Sequence, residues 1–435
     1  GTKHEGEVAV FATTDPLKDE WTKVADVPPQ FDVHYFQDDD GRVYRYDGLS
    51  PSDPLWVCEV DPRSLQPVGE RSALYSQDQA THGWEGQGDD HLQEGPDWME
   101  GGSTRRMLEK RGFIDSSPAW IEGSWMTKRN GRYYLQYAAP GTQWNVYSDS
   151  ALVGSNPLGP FEVQRHNPFS YKPAGFITGA GHGSTFQDEH GNWWHVSTMR
   201  IRVRSFTERR IGLWPAGFDE DGVLYCNTSF GDWPMRLPKG KWDSWKDPFA
   251  GMMLLSYQAA CEASPSLSDH PASNAFDEDV RTWWCAQEAG DAWLQVDLGE
   301  AAEVSAVQTN FAEHDVAVKG RSHPGIYYAY TIESSLDGEE WRMVVDKREN
   351  RQDAPHDFVE LEQPSQARFL RLSILHVPDG LPAVAGLRVF GLAPGSPPED
   401  PELIQADRSE DRRIVSLAWA GQPDARIEER RKKLE

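Results

Sequence analysis

The chain has 435 residues, with 43 Lys or Arg against 69 Asp or Glu, and its formal net charge is −26 at pH 7. A charge of this sign repels nucleic acid and anionic lipid, so we expect a neutral or soluble partner. No apolar run approaches the roughly 20 residues that a membrane-spanning helix needs, and membrane insertion is therefore not expected. The length predicts about three domains.

Four stretches in the first half repeat one turn, in which Gly follows Asp, Asn or His between residues of high strand propensity. The stretches are residues 37–48, 127–138, 187–198 and 218–229. This pattern is typical of β-hairpins, because Gly supplies the positive φ that a tight turn needs. Recurring hairpins without long amphipathic helices predict an all-β array. The blades of a propeller are the natural candidate, and a β-sandwich with similar turns is the alternative.

Residues 76–116 interrupt this pattern with a segment rich in Gly and charge, containing one short helical run. Loops of this length are usually functional or disordered. Trp84, His91 and Trp98 favour a loop folded near a site, and a mobile surface excursion is the alternative.

Two acidic residues occupy equivalent places in their repeats. Asp32 lies nine residues before Gly41, and Glu122 lies nine before Gly131, so both are predicted to lie on the strand that precedes the turn. Hydrolysis of a glycosidic bond needs two carboxyl groups, one to protonate the departing oxygen and one to activate water or attack.

Three segments, "FDVHYFQDDDGRVY", "EGSWMTKRNGRYYL" and "GAGHGSTFQDEHGNWW", resemble in sequence and order the motifs of glycoside hydrolase family 43, over roughly residues 1–240. The resemblance implies a five-bladed β-propeller. It also implies that Glu122 is the general acid and that Asp32 orients it and tunes its pKa. Burial and the neighbouring carboxylate are expected to raise the pKa of that acid.

The same resemblance suggests roles for four further side chains. His182 resembles the histidine near the propeller axis that often ligates a calcium ion or its waters. Trp125, Trp144 and Tyr147 are candidates for the sugar-facing wall of the site.

One part of the family pattern is missing. The family's general base is an Asp on the first blade, whereas the residues before Asp32 resemble late strands of the second blade. We therefore expect an N-terminally incomplete propeller that lacks its first blade, with the general base upstream of this chain.

Residues 252–392 resemble the discoidin, or coagulation factor V/VIII C-type, β-sandwich. The segment "NAFDEDVRTWW" resembles the loop that wraps a structural calcium ion in many relatives, which makes Asp277 and Asp279 possible ligands. Many such domains bind terminal sugars, and others only pack against a catalytic domain.

The predicted organisation is a partial propeller over residues 1–250, a discoidin-like sandwich over 251–393, and a linker with the start of a truncated module over 394–435, where one alternating strand is expected. The predicted function is inverting hydrolysis of O-glycosidic bonds, of α-L-arabinofuranosidase or β-xylosidase type, on plant cell-wall polysaccharide or oligosaccharide. The alternative is a non-catalytic carbohydrate-binding or adhesion protein with a degenerate propeller. Calcium is the expected cofactor, with no organic cofactor. A secreted or periplasmic, bacterial-type location is expected.

Overall fold

A computed structural model describes residues 8–50, 53–86, 119–142, 144–201, 209–230, 232–247, 249, 251–314, 325–395, 403–408 and 415–419, the last two ranges by their backbone. The chain divides into two compact units, Gly1–Ala393 and Pro394–Glu435. Helix is confined, among these residues, to three short 3-10 helices: Gly83–Glu85, Thr228–Phe230 and Ala272–Ala275. None of the helices described is long and apolar enough to cross a membrane.

The first half of the larger unit folds into three four-stranded antiparallel sheets and one two-stranded sheet, as a series of propeller blades requires. The two-stranded sheet consists of β1 (Val8–Ala12) and β2 (Thr22–Val27). In each of the three larger sheets, neighbouring strands follow one another in the chain. The first consists of β3 (His34–Gln37), β4 (Val43–Asp47), β5 (Leu55–Val60) and β6 (Ser72–Tyr75), and the second of β7 (Glu122–Arg129), β8 (Arg132–Ala139), β9 (Ser148–Gly154) and β10 (Phe161–Val163). The third consists of β11 (Thr178–Gln187), β12 (Trp193–Arg200), β13 (Arg209–Phe218) and β14 (Leu224–Cys226).

The predicted hairpins are confirmed at their turns. The glycines at the four turns all have positive φ: Gly41 (85°), Gly131 (74°), Gly191 (78°) and Gly222 (79°). Aromatic and aliphatic side chains following the turns, such as Tyr44, Tyr133 and Trp194, are buried. The local turn chemistry and the buried face of each sheet therefore agree.

The two acidic residues do not occupy equivalent positions, so the prediction that both lie on strands is wrong for Asp32. Glu122 is the first residue of β7, whereas Asp32 precedes β3 and has φ of 47°. This left-handed conformation is incompatible with an extended strand. Asp32 thus lies in the bend that leads into its blade.

The second half of the larger unit is one eight-stranded antiparallel sheet in which two long strands bend between its two halves. Its core is apolar and includes Trp284, Leu294, Leu372 and Val389, all fully buried. The strands are β15 (Met253–Leu254), β16 (Ala260–Ala263), β17 (Trp284–Cys285), β18 (Ala292–Phe311), β19 (Ala329–Ser335), β20 (Arg342–Asp346), β21 (His356–His376) and β22 (Ala383–Leu392).

The blades and the sandwich share a hydrophobic cluster. Phe176 and Trp214 of the blade region belong to the same buried cluster as Val280 and Ala385 of the sandwich. Arg388 of β22, 1% exposed, pairs with Glu278. Continuous packing of this kind makes the sandwich part of the same compact unit.

The described residues of the smaller unit include two strands where one was expected. β23 (Leu403–Arg408) pairs antiparallel with β24 (Val415–Trp419). The segment "LIQADR" alternates like a strand, and the prediction of a lone strand missed it because only "IVSLAW" was read as one.

Candidate active site

Asp32, Glu122 and His182 converge from three sheets. Each offers one potential ligand atom, and these atoms lie within 4.8 Å of one another. Asp32 precedes β3, Glu122 begins β7, and His182 lies in β11. Each therefore comes from, or just before, the first strand of its blade.

Glycine allows this close approach. Gly123 has φ of 69°, and a Cβ atom there would lie 2.9 Å from the His182 ring carbons Cγ and Cδ2. His182 itself has φ of 58°. The His182 imidazole therefore packs directly against the backbone of Gly123, next to Glu122. Any residue with a Cβ atom at position 123 would collide with the imidazole ring.

The Glu122 carboxylate is held by two hydrogen-bond donors and faces an imidazole. The Tyr147 hydroxyl donates to Oε1 at 2.8 Å, and the Trp120 indole Nε1 donates to Oε2 at 2.8 Å. His182 Nδ1 lies 3.7 Å from Oε1. The side chain is 14% exposed, so the carboxylate has a fixed orientation and retains some access to solvent.

The charges of the cluster are coupled. Burial raises the pKa of Glu122, but His182, Trp120 and Tyr147 together outweigh burial and hold it below its usual value. Burial and the negative charge of Glu122 raise the pKa of Asp32. Burial lowers the pKa of His182, and the nearby Glu122 carboxylate more than compensates and raises it.

The expected upward shift of the Glu122 pKa is thus wrong, since this pKa lies below its usual value. The sequence pattern indicated burial and a neighbouring acid, Asp32, but did not show that His182 and two donors would contact the Glu122 carboxylate. The pKa values of Asp32 and His182 are instead raised above their usual values.

The backbone of His182 is hydrogen-bonded to a buried polar network that the sequence did not predict. The backbone N–H of His182 donates to Asp149 Oδ1 at 2.8 Å, and Asp149 Oδ2 lies 2.9 Å from His195 Nε2. His195 Nδ1 contacts the Thr185 hydroxyl, which donates to Gln136. Asp149 and His195 are almost fully buried, and hydrogen bonding of this kind offsets much of the cost of burying them.

Gly183 is required for this network. A Cβ atom at position 183 would lie 2.5 Å from His195 Nε2 and 2.6 Å from Asp149 Oδ2. The glycine after His182 in "GHGS" was a signal that the backbone passes close to other atoms, although the sequence did not show which atoms.

Of the three predicted wall residues, Tyr147 contacts Glu122, and Trp125 and Trp144 are packed within the blades. Tyr147 is 2% exposed and donates to Glu122, and Trp144 is 8% exposed. Trp125 packs against the His34 ring at 4.3 Å between centroids and donates its Nε1 hydrogen to the Thr185 carbonyl. Tyr147 thus contacts the acid itself, while stacking of sugar on Trp125 or Trp144 stays a prediction.

In the predicted calcium loop of the sandwich, three oxygen atoms lie within 3.5 Å of the Thr282 hydroxyl. Thr282 Oγ1 lies 2.6 Å from Asp277 Oδ2, 3.0 Å from the Asp279 carbonyl and 3.5 Å from the Asn274 carbonyl. The Asp279 carboxylate instead pairs with Arg281. Carboxylate, carbonyl and hydroxyl oxygens are what calcium prefers, so the loop fits this ion through the Asp279 carbonyl rather than its carboxylate.

The group around His182 fits calcium poorly. Calcium takes about six to eight oxygen ligands. Here two carboxylates and one imidazole offer three ligand atoms, and both Glu122 oxygens already accept hydrogen bonds. The described residues around His182 therefore do not supply the ligands that calcium needs, and the prediction of calcium there has no support in this geometry.

Most of the predicted insertion lies outside the described residues. This includes His91, Trp98 and the short helical run, whereas Trp84 belongs to the 3-10 helix Gly83–Glu85.

Comparison with known proteins identifies two regions. Residues 2–224, more than half of the chain, match "Glycosyl hydrolases family 43", and residues 258–385 match "F5/8 type C domain". These regions follow the predicted order, and the all-β prediction of propeller blades followed by a discoidin-like sandwich is confirmed.

Two curated relatives match shorter parts. A beta-D-galactofuranosidase, xynD, of Aspergillus niger is 31% identical over 107 residues, covering 24% of this chain and 31% of the relative. A xylosidase/arabinosidase of Butyrivibrio fibrisolvens is 26% identical over 184 residues, covering 39% of this chain and 28% of the relative. The matched parts span less than a third of either relative's length.

Among solved structures, a thermostable family-43 glycoside hydrolase is 21% identical, with a TM-score of 0.40. The match covers 54% of this chain and 70% of that one.

Proposed function

Because the chain belongs to glycosyl hydrolase family 43, we propose that it hydrolyses O-glycosidic bonds with Glu122 as the general acid and Asp32 as the carboxylate that orients and tunes it. The observation that carries the proposal is the fixed Glu122 carboxylate, held by Trp120 and Tyr147 beside Asp32 and His182.

A general acid must carry a proton when the sugar leaves, and the bound substrate would favour this. A sugar that fills the site excludes water, which strengthens the effect of burial on each charged group. Burial raises the pKa of Glu122 and lowers that of His182, so the proton would shift from the imidazole toward Glu122 as the site closes over substrate. The two neighbouring carboxyl groups disfavour simultaneous ionisation, since the charge of Glu122 raises the pKa of Asp32.

We propose that the reaction inverts the anomeric configuration and that the base is a further carboxylate. Inverting enzymes separate acid and base by about 6.5–9.5 Å to leave room for water. Oxygens of Asp32 and Glu122 lie within 4.8 Å, too close for that pair of roles. The proposal therefore assigns the base neither to Asp32 nor to Glu122.

The substrate class proposed is plant cell-wall polysaccharide or oligosaccharide, with α-L-arabinofuranoside or β-xyloside linkages. The xylosidase/arabinosidase among the relatives supports this choice, and the galactofuranosidase adds a third sugar to be tested. The sandwich would bind glycan or hold calcium at the Asp277 loop. We also propose a secreted or periplasmic location, where the protein would meet such a polysaccharide or oligosaccharide.

The test is hydrolysis of nitrophenyl arabinofuranosides, xylosides, galactosides and galactofuranosides by the 435-residue chain. The configuration of the first sugar released is then read by proton NMR. Turnover with inversion is expected. Retention would contradict the roles assigned to Asp32 and Glu122.

If the folded chain is inactive, the chain should be extended at its N-terminus. Activity gained on extension would support an upstream base. Continued inactivity, together with measurable binding of the same glycans, would favour the second candidate function, a non-catalytic carbohydrate-binding protein. The close spacing of the two carboxylates, which leaves the base unassigned, is the observation that favours this alternative.

A further inference from the structure

Glu85 is a fully buried carboxylate that the proposed chemistry does not use. It ends the 3-10 helix Gly83–Glu85, and it is 0% exposed. A buried carboxylate is costly unless donors surround it, so its contacts indicate what it holds in place.

Three donors from two parts of the chain converge on this carboxylate. The hydroxyls of Tyr75 and Tyr137 both donate to Oε1 at 2.7 Å, and the backbone N–H of Asp78 donates to Oε2 at 2.6 Å. Tyr75 ends β6 and Tyr137 lies in β8. Glu85 therefore ties the short helix to two neighbouring blades.

The backbone of the same residue reaches the acid through Trp120. The Glu85 carbonyl accepts the Trp120 backbone N–H at 3.2 Å, and the Trp120 indole donates to Glu122 Oε2 at 2.8 Å. The next residue, Ile121, exchanges two backbone hydrogen bonds of 3.1 Å with Ser50. The two residues that precede Glu122, Trp120 and Ile121, are thus both fixed by backbone hydrogen bonds.

We propose that Glu85 is a positioning residue for Glu122, acting by anchoring the segment from which Trp120 orients the acid. This inference rests on the proposed function of Glu122. Tyr147 fixes one carboxylate oxygen and Trp120 the other, so release of Trp120 frees the carboxyl group to rotate. A displacement of about 1 Å at a reacting group can cost roughly 100-fold in rate.

The leaving group separates positioning from loss of folded protein. A methyl glycoside needs strong proton donation to leave, whereas a 4-nitrophenyl glycoside of the same sugar needs little. For Glu85→Ala we expect kcat to fall roughly 10-fold more on the methyl than on the nitrophenyl substrate, with KM little changed. Glu85→Gln keeps the acceptor for both tyrosines but loses the one for the Asp78 N–H, so its effect should be smaller.

Asp47→Asn is the matched control. Asp47 is 1% exposed and pairs with the buried Arg45, and no contact described joins it to Trp120. Loss of a buried carboxylate there should lower both rates by the same factor. The proposal is overturned if the Glu85 variants also lower both rates equally while Glu122→Gln shows the leaving-group dependence. If Glu122→Gln shows none, the role of Glu122 as the acid fails instead.

A second readout does not need turnover. The indole N–H resonance of Trp120, assigned by its disappearance in Trp120→Phe, should shift in Glu122→Ala because the acceptor is lost. Glu85→Ala and Glu85→Gln should shift it in the same direction, and Asp47→Asn should not. An unchanged Trp120 resonance in folded Glu85→Gln would overturn the proposal even for an inactive chain.

Discussion

The blades and the sandwich bury different kinds of side chain. Ionisable groups such as Glu85, Asp149 and His195 are almost fully buried in the blade region. Within the described sandwich, Arg388 is the only charged side chain buried to this degree, and the other buried polar groups, such as Asn310, are uncharged. Apolar burial stabilises without needing matched partners, whereas each buried charge must find donors or acceptors.

This difference separates two tasks. Near Glu122, Asp32 and His182 have positive φ and coupled charges, features that cost stability and cluster at functional sites. The sandwich supplies an apolar core and joins the blades through a shared cluster. Changes in the sandwich should therefore alter stability, and changes around Glu122 should alter chemistry.

The largest effect on stability is expected in the sandwich core. Leu372 is fully buried, and Leu372→Ala should lower the free energy of unfolding by about 2–5 kcal/mol through lost burial and a residual cavity. Chemical denaturation measures this loss. Glycosidase activity per folded molecule should not change, and a selective fall in kcat would contradict the separation.

Calcium should have the next largest effect. Calcium at 100 times its dissociation constant would stabilise the native state by about 2.7 kcal/mol, seen as a rise in Tm that EDTA reverses. Asp277→Asn should abolish the rise, whereas Asp279→Asn should retain it because that carboxylate pairs with Arg281. Equal responses of the two variants would contradict the loop geometry.

The smallest effects should have opposite signs in the two regions. Arg368 lowers the pKa of Asp297 in the sandwich, so this group adds stability above its unfolded pKa that is lost as pH falls through the folded value. Burial raises the pKa of Asp32, so this group costs stability as pH rises through its folded pKa. At pH 7, Asp297→Asn should lower the free energy of unfolding by no more than about 1 kcal/mol and so lower Tm, whereas Asp32→Asn should raise Tm.

Thermal melts at pH 7 and pH 3 check both signs. Both differences from the unmodified chain should shrink at pH 3: Asp297 is then largely protonated in the unfolded state, and Asp32, whose pKa is raised, is largely protonated in both states. Destabilisation by Asp32→Asn at pH 7 would contradict the sign assigned to that site.

Local patterns in the sequence predicted much of this arrangement. Asp-Gly, Asn-Gly and His-Gly turns located four hairpins, because the positive φ of glycine is a local requirement. The motifs also brought Asp32, Glu122 and His182 together as a group. Local pattern failed where conformation depends on distant contacts, as at Asp32, whose positive φ removes it from the strand.

Contacts between distant segments could not be predicted. The Asp149–His195 pair joins residues of two sheets, and neither stands in a recognisable motif. Glu85 lies in a segment for which the sequence left open a loop near a site or a mobile surface excursion, yet it is fully buried and accepts three hydrogen bonds. The direction of the Glu122 pKa likewise depended on contacts with Trp120 and Tyr147 that spacing does not specify.

The most direct test of the central claim compares the 435-residue chain, extended at its N-terminus if needed for turnover, with Glu122→Gln on methyl and nitrophenyl glycosides of the preferred sugar. The variant should stay folded and lose roughly 10²–10⁴-fold of kcat on the methyl glycoside, with a much smaller loss on the nitrophenyl glycoside. Near-unchanged turnover of the methyl glycoside would contradict the assignment of Glu122 as the general acid.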